Sequence, residues 1–290
     1  SGVTGSGLGL AIVDRIVRRS GGTVVLGDAL PHGLLVKVQF PLIQRSTLKK
    51  ALKEQDKAAL KLEKEEEKKP KKRVRLLTMR NVYDKKISKF QFDGMWAEYV
   101  SPEPEDHGIW LIYGAEKNGK TTFALMLANY LRQMGRVLYL SAEEGISASI
   151  QDTCLQVGIP EECSNMYMYE YMPVEDLWEK LRDRRSAKVV FIDNASYYKD
   201  ELMNKEYGLL KLIRKFPEKL FIILAHEEKG RPHNAAARQA SKLAKVIFHV
   251  QGLAAEVSGR VGNNVGKKIP IVEERARLYH GNELNGNDYE

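Results

Sequence analysis

An α/β fold, with a mainly parallel twisted sheet flanked by helices, is predicted for residues 76–281 on three observations. Short apolar runs at 109–113, 136–140, 189–192 and 220–225 alternate with helical patterns, the rhythm of strands buried on both faces and joined by crossover helices. A glycine-rich loop separates the first of these runs from the helical pattern at 123–132. Three runs give way to polar residues, with Glu143 after the second, Asp193 after the third and His226 after the fourth. In open parallel sheets, ligand-binding groups gather at such carboxyl ends.

Composition bounds the rest. The 290 residues exceed the usual size of one domain, and 43% apolar with 29% charged residues suits a water-facing globular protein. The longest apolar runs fall far short of a bilayer span, so no membrane partner is expected. The opening Ser1-Gly2 leads into a glycine-rich segment with no basic stretch before an apolar one, so no signal peptide is expected and the location is read as cytoplasmic. Cys154 and Cys163 have no metal-ligand spacing and read as reduced thiols. The net charge is +8, but residues 45–75 alone hold thirteen basic against six acidic side chains, which leaves the remainder near neutral.

Four regions follow: 1–43, apolar and glycine-rich; a charged linker at 44–75; the α/β domain at 76–281; and a polar, acidic tail at 282–290, read as disordered. In the first, helical periodicity at 8–19 stops at Gly21-Gly22, and two strands at 23–26 and 34–40 join around Pro31-His32-Gly33. One helix and one hairpin cannot close a core. The opening Thr4-Gly5-Ser6-Gly7-Leu8-Gly9 and the terminal hairpin resemble the C-terminal end of a sensor histidine kinase ATPase domain of the GHKL fold. That resemblance places Gly7 and Gly9 at a lid over ATP, but the family's phosphoacceptor segment and asparagine box have no counterpart here, so this fragment is expected to be inert as a kinase. Residues 47–69 fit a helix with Leu48, Leu52, Ala59 and Leu62 on one stripe; the segment reads as a solvated linker or, through 68–75, as a contact for nucleic acid or a partner. A natural fusion, an engineered fusion and a misjoined reading frame would each produce this junction.

The loop Gly114-Ala115-Glu116-Lys117-Asn118-Gly119-Lys120-Thr121-Thr122 has the spacing GxxxxGK[ST] between a strand and a helix. Its glycines let the backbone curl with N–H groups inward, and the helix N-terminus adds partial positive charge where phosphates would sit. Lys120 is placed to reach the β- and γ-phosphates of ATP and the Thr121 hydroxyl to ligate Mg²⁺. Hydrolysis needs more. Asp193 is the candidate for holding the metal's water shell, or else a helix cap. Glu143 or Glu144 would polarise the attacking water, unless the pair is a solvated helix start. His226 reads as a γ-phosphate sensor or as a surface histidine.

Taken in this order, the loop, the Ser141-Ala142-Glu143 strand end, the apolar strand ending in Asp193 and Leu224-Ala225-His226 resemble the RecA-like ATPases, particularly their RadA and DnaB branches. The resemblance implies Glu143 as catalytic glutamate, Asp193 as the Walker B acid on the metal side and His226 as sensor. It also implies that Arg275 and Arg277, on a last predicted strand, reach a neighbouring subunit's γ-phosphate, and hence a homo-oligomer such as a hexamer. In such proteins the loop after His226, here with Lys229, Arg231, His233 and Arg238, faces DNA. A second basic tip is expected on a hairpin over 251–269, with Arg260, Lys267 and Lys268. The leading expectation is therefore an ATP-hydrolysing protein acting on DNA in replication or recombination of a phage or mobile element. The alternatives are a nucleotide-gated regulatory or scaffold protein and, from residues 1–43 alone, a sensor kinase fragment.

Overall fold

A computed structural model describes residues 13, 14, 16–18, 21–29, 33–40, 76–281 and 284. The glycine box at 5–9, the linker at 44–75 and nearly all of the acidic tail lie outside the described residues. The chain divides into two compact units, Ser1–Val82 and Tyr83–Glu290.

In the first unit, β1 (Thr23–Asp28) and β2 (Leu34–Gln39) form an antiparallel hairpin, with helical residues at 13, 14 and 16–18 before it. Gly22 N–H donates to Val17 O at 2.8 Å, closing the helix against the Gly-Gly turn. Leu34, Leu35, Val36 and Val38 are all exposed. Successive side chains on a strand point to opposite faces, so β2 is exposed on both.

The second unit is the mixed α/β fold. After α1 (Met79–Tyr83), at the boundary, and α2 (Gly94–Tyr99), the chain enters β3 (Gly108–Gly114), then α3 (Lys120–Leu131), β4 (Val137–Ser141), α4 (Ala148–Gln156), β5 (Met166–Tyr169), α5 (Val174–Arg182) and β6 (Val189–Asp193). It continues through α6 (Lys199–Leu202), α7 (Leu209–Lys215), β7 (Leu220–Glu228), β8 (Arg231–Pro232), α8 (Ala235–Leu243), β9 (Val246–Gln251), β10 (Ala254–Gly259), β11 (Lys268–Pro270) and α9 (Glu273–His280). The sheet order is β11-β10-β9-β3-β7-β6-β4-β5, with β8 paired to β7. The run from β9 to β5 is parallel throughout, and only β10, β11 and β8 pair antiparallel. The mainly parallel sheet flanked by helices is thus observed.

Period-two alternation sets the two cores. On one face Trp110, Ile112, Phe191 and Phe248 pack with Phe123 and Leu127 of α3; on the other, Ile109, Leu111, Ile192 and Ile223 pack with Leu177 of α5 and Ala237 of α8. Burial on both faces explains why the central strands read as continuous apolar runs.

Three expected features take another form. Arg275 and Arg277 lie on helix α9, not on a strand: Glu273 and Glu274 occupy its first turn, Arg277 pairs with Glu273 at 2.7 Å four residues back, and Ala276 faces inward. This charge order suits the helix dipole and an i,i+4 pair. The segment 251–269 is two connections rather than one hairpin. The β9–β10 turn is Gly252-Leu253, both with positive φ (53° and 58°), as a two-residue hairpin demands. Arg260 and Lys267 fall at the other end of the sheet, where Arg260 N–H donates to Lys245 O and the Lys267 amine to Glu98 O at 2.9 Å. The loop after His226 is likewise a tight hairpin, β7–β8, turning at Lys229-Gly230.

At the end of β3, a Cβ on Gly114 would stand 2.1 Å from Val250 O on β9. Backbone cannot move aside without opening the sheet. Gly114→Ala is therefore expected to destabilise the protein by about 1–3 kcal/mol, measured by urea denaturation; an unchanged midpoint would show that β3 and β9 can separate at no cost.

Candidate functional site

The phosphate-loop motif occupies the junction between central strand β3 and α3. Lys117 (φ 60°) and Gly119 (φ 91°) adopt the left-handed region that lets the chain curl. A Cβ on Gly119 would lie 3.0 Å from Leu253 Cδ2. The loop is clamped to the β9–β10 turn by Asn118, whose Oδ1 accepts from Gly252 N–H at 3.0 Å while its amide donates to Glu116 O at 3.1 Å. Ala115, Glu116 and Lys117 are exposed; Thr121 and Thr122, in the first turn of α3, are partly buried.

Lys120 begins α3 and is 9% exposed. Its ammonium donates to Ala115 O at 2.8 Å, across the loop. Burial pushes its pKa below the ordinary lysine value, and the nearby Glu143 and Asp193 carboxylates work against that shift.

Asp193 closes β6 and is buried. The Tyr139 hydroxyl, fully buried on β4, donates to its Oδ2 at 2.7 Å. Desolvation raises the Asp193 pKa to about 7; the Tyr139 hydrogen bond and Lys120 oppose this, and the charges of Glu143 and Glu144 add to it. The Asp193–Asn194 peptide bond is cis.

Glu143 and Glu144 follow β4 and face different groups. Glu144 Oε1 lies 3.5 Å from Thr121 Oγ1, the outer limit of a hydrogen bond. Glu143 Oε1 is 3.1 Å from His226 Nε2, and its Oε2 accepts from the Asn194 amide. That amide also lies 2.9 Å from His226 Nε2. The Ser141 hydroxyl and His226 Nδ1 are buried with no hydrogen-bond partner among the described residues.

Lys120, Glu143, Asp193 and His226 are thus brought together at one end of the parallel sheet. Arg275 and Arg277 stand apart from them on the exposed surface of α9. Asn194 and Tyr139 join the cluster without having been singled out by sequence. For Asn194 the available signal is a polar residue directly after a strand-ending acid; for Tyr139 it is the one hydroxyl within an apolar run.

A strand, a GxxxxGKT loop and a helix stand at the middle of a mainly parallel sheet flanked by helices, a mixed α/β fold consistent with the RecA-like kind. No family model matches the chain, and no curated protein matches it. Among solved structures the chain is similar to the crystal structure of the flagellar accessory protein FlaH from Methanocaldococcus jannaschii, at 14% identity and a TM-score of 0.43, over 60% of this chain and 88% of that one. At that score the fold class rests on this chain's own strand order and loop. No described helix is long and apolar enough to cross a membrane.

The Tyr139–Asp193 hydrogen bond yields a stability prediction. Tyr139→Phe leaves a buried carboxyl without its hydroxyl donor and should cost about 1–3 kcal/mol in urea denaturation. A midpoint equal to that of the wild type would mean that Asp193 finds another donor.

Proposed function

We propose that the protein is a RecA-like ATPase that binds Mg-ATP on the loop from Gly114 to Thr122 and hydrolyses it. One observation supports this reading above the others: a buried ammonium, Lys120, lies at the same sheet end as a solvent-exposed carboxylate, Glu143, and a buried one, Asp193. The donor set suits a magnesium nucleotide. Among the described residues the Lys120 ammonium donates to a neutral carbonyl, Ala115 O, a poor match for a buried charge, and a phosphate would be a far better one. Among the described residues no three His, Cys, Asp or Glu side chains cluster to hold a metal. Mg²⁺ here would be held by the Thr121 hydroxyl, by Asp193 through water and by the phosphates, as that ion's retained hydration favours.

In this reading the loop N–H groups and Lys120 orient the phosphates and neutralise their charge. Mg²⁺, if bound through the Thr121 hydroxyl and the water held by Asp193, would supply further charge neutralisation for the phosphates. Glu143, 32% exposed and at the strand end, accepts a proton from the attacking water; Glu144 faces Thr121 instead. His226 reads the γ-phosphate, and its position on β7 passes that state to the β7–β8 hairpin, because His233 N–H donates to His226 O at 2.8 Å.

We further propose that the hairpin contacts DNA, with exposed Lys229 and Arg231 at its tip and Arg238 on the following helix. Arg275 and Arg277 on α9 would act on a nucleotide held by a neighbouring copy in a homo-oligomer. The second reading, a nucleotide-gated scaffold without DNA action, is favoured by the placement of Arg260 and Lys267 at the sheet end away from the phosphate loop.

Steady-state ATPase measurements separate these readings. Lys120→Ala should abolish turnover, and Glu143→Gln should keep ATP binding while slowing hydrolysis by about 10²–10⁴-fold. Turnover of Lys120→Ala at the wild-type rate would sink the hydrolytic assignment. DNA should stimulate the wild type and bind in a salt-dependent way; neither effect with single- or double-stranded DNA leaves the scaffold reading.

A further inference from the structure

Asn194 is fully buried one residue beyond Asp193, and no role in binding phosphate or metal accounts for it. Its Oδ1 accepts from Ser196 N–H at 2.7 Å. That bond fixes the amide's orientation, since a flipped side chain would set its NH₂ against the Ser196 N–H and its oxygen against the Glu143 carboxylate. The NH₂ group therefore faces Glu143 Oε2 and, at 2.9 Å, His226 Nε2. Behind it the Ser196 hydroxyl accepts from Asn234 at 3.3 Å, and Asn234 caps α8 by accepting from Ala237 N–H at 2.9 Å. The amide is thus held by rigid elements on the side away from the site.

We propose that Asn194 is a positioning residue: its two amide hydrogens hold the Glu143 carboxylate and the His226 ring in one geometry and so set the direction in which Glu143 points. The inference rests on the hydrolytic role of Glu143. It has a consequence that is independent of hydrolysis. His226 Nε2 lies 2.9 Å from a donor, the Asn194 amide, and 3.1 Å from an acceptor, Glu143 Oε1. A neutral ring cannot serve both: it accepts from Asn194 only with its proton on Nδ1, and donates to Glu143 only with its proton on Nε2. The amide, locked by Ser196, selects the Nδ1–H form, even though Nδ1 has no partner among the described residues. Without the amide, the Nε2–H form gains a charge-assisted bond to Glu143 and becomes the better one. Glu143 is then held by His226 alone, and the amide no longer sets the direction in which its second oxygen points.

The test pairs a spectroscopic with a kinetic readout on the full chain. Nitrogen-15 spectra of the histidine rings, with the His226 signals assigned by their loss in His226→Gln, should show the Nδ1–H tautomer in the wild type and the Nε2–H tautomer in Asn194→Ala. The variant's kcat should fall by about 10–100-fold, with binding of a fluorescent ATP analogue unchanged. Asn194→Asp keeps the shape and the acceptor for Ser196 N–H but turns an oxygen toward Glu143, and should lose kcat in the same way; thermal melts report whether each variant folds. An Nε2–H tautomer in the wild type overturns the proposal without recourse to any variant. So does an unchanged tautomer or an unchanged kcat in a folded variant. A wild type that binds Mg-ATP with no turnover, together with the tautomer exchange, refutes the ATPase reading and supports Asn194 as the residue that fixes the partner of Glu143.

Discussion

The register of the parallel strands is the constraint on which the site depends. Gly114 on β3 lies opposite His226 on β7 and Val250 on β9, and Ser141 on β4 lies opposite Asp193 on β6. Strand side chains alternate between faces, so a slip of one residue in any of these pairings would turn a site residue to the other side of the sheet. The buried apolar rows on both faces prevent that slip, because it would exchange Ile109 and Leu111 for Trp110 and Ile112 in cores of different shape. At Gly114 the constraint is tightest. Only the lack of a side chain lets β3 run beside Val250 O, and the same approach brings the β9–β10 turn to Asn118.

The register places opposite charges in a poorly solvated rank. Lys120 is pushed down and Asp193 up, burial being the main cause in each case, and each charge partly restores the ionised form of the other. The balance is incomplete, as the Asp193 value near 7 shows. Tyr139 supplies one donor, and the Ser141 hydroxyl beside that strand end has no partner among the described residues. Buried polar groups that are only partly satisfied are costly. A ligand bringing both negative oxygens and a cation would relieve Lys120 and Asp193 together, whereas either charge alone would relieve one and aggravate the other.

Local signals made part of this legible in the sequence. The loop from Gly114 to Thr122 is contiguous, and its strand and helix flank it directly. Asp193 and His226 stand out because a buried parallel strand is apolar to its last residue. The residues alone leave both Glu143 and Glu144 open and only the family resemblance favours Glu143, since neighbours at a strand end diverge in direction; the fold shows that Glu143 is the one that meets His226. Asn194 carries only the weak signal of a polar residue after a strand-ending acid, because its partners, Glu143 after β4 and His226 on β7, are 51 and 32 positions away. The turn at Gly252-Leu253 was missed because leucine at positive φ carries no turn signature, while the glycines at 259, 262 and 266 drew the expected tip away. For Arg275 and Arg277, the alternation Arg-Ala-Arg suggested a period of two, although the Glu273–Arg277 pair obeys the helical one.

The two basic regions of the α/β unit differ in how they connect to His226. On the β7–β8 hairpin each acid meets a histidine, Glu227 with His249 at 2.8 Å and Glu228 with His233 at 2.9 Å. The exposed Lys229 and Arg231 flank Gly230 at the tip. The tip is also mechanically short: β7 runs unbroken from His226 into it, and His233 N–H closes back on His226 O. Arg260 and Lys267 have neither property, being separated from the phosphate loop by the length of β10 and tied to the backbone of Lys245 and Glu98. Charge alone does not distinguish the two basic regions, but connectivity does. A contact made at the β7–β8 tip would share one strand with the group that faces Glu143 and Asn194, whereas a contact at the far edge could reach that group only by deforming a sheet whose register its buried cores hold fixed.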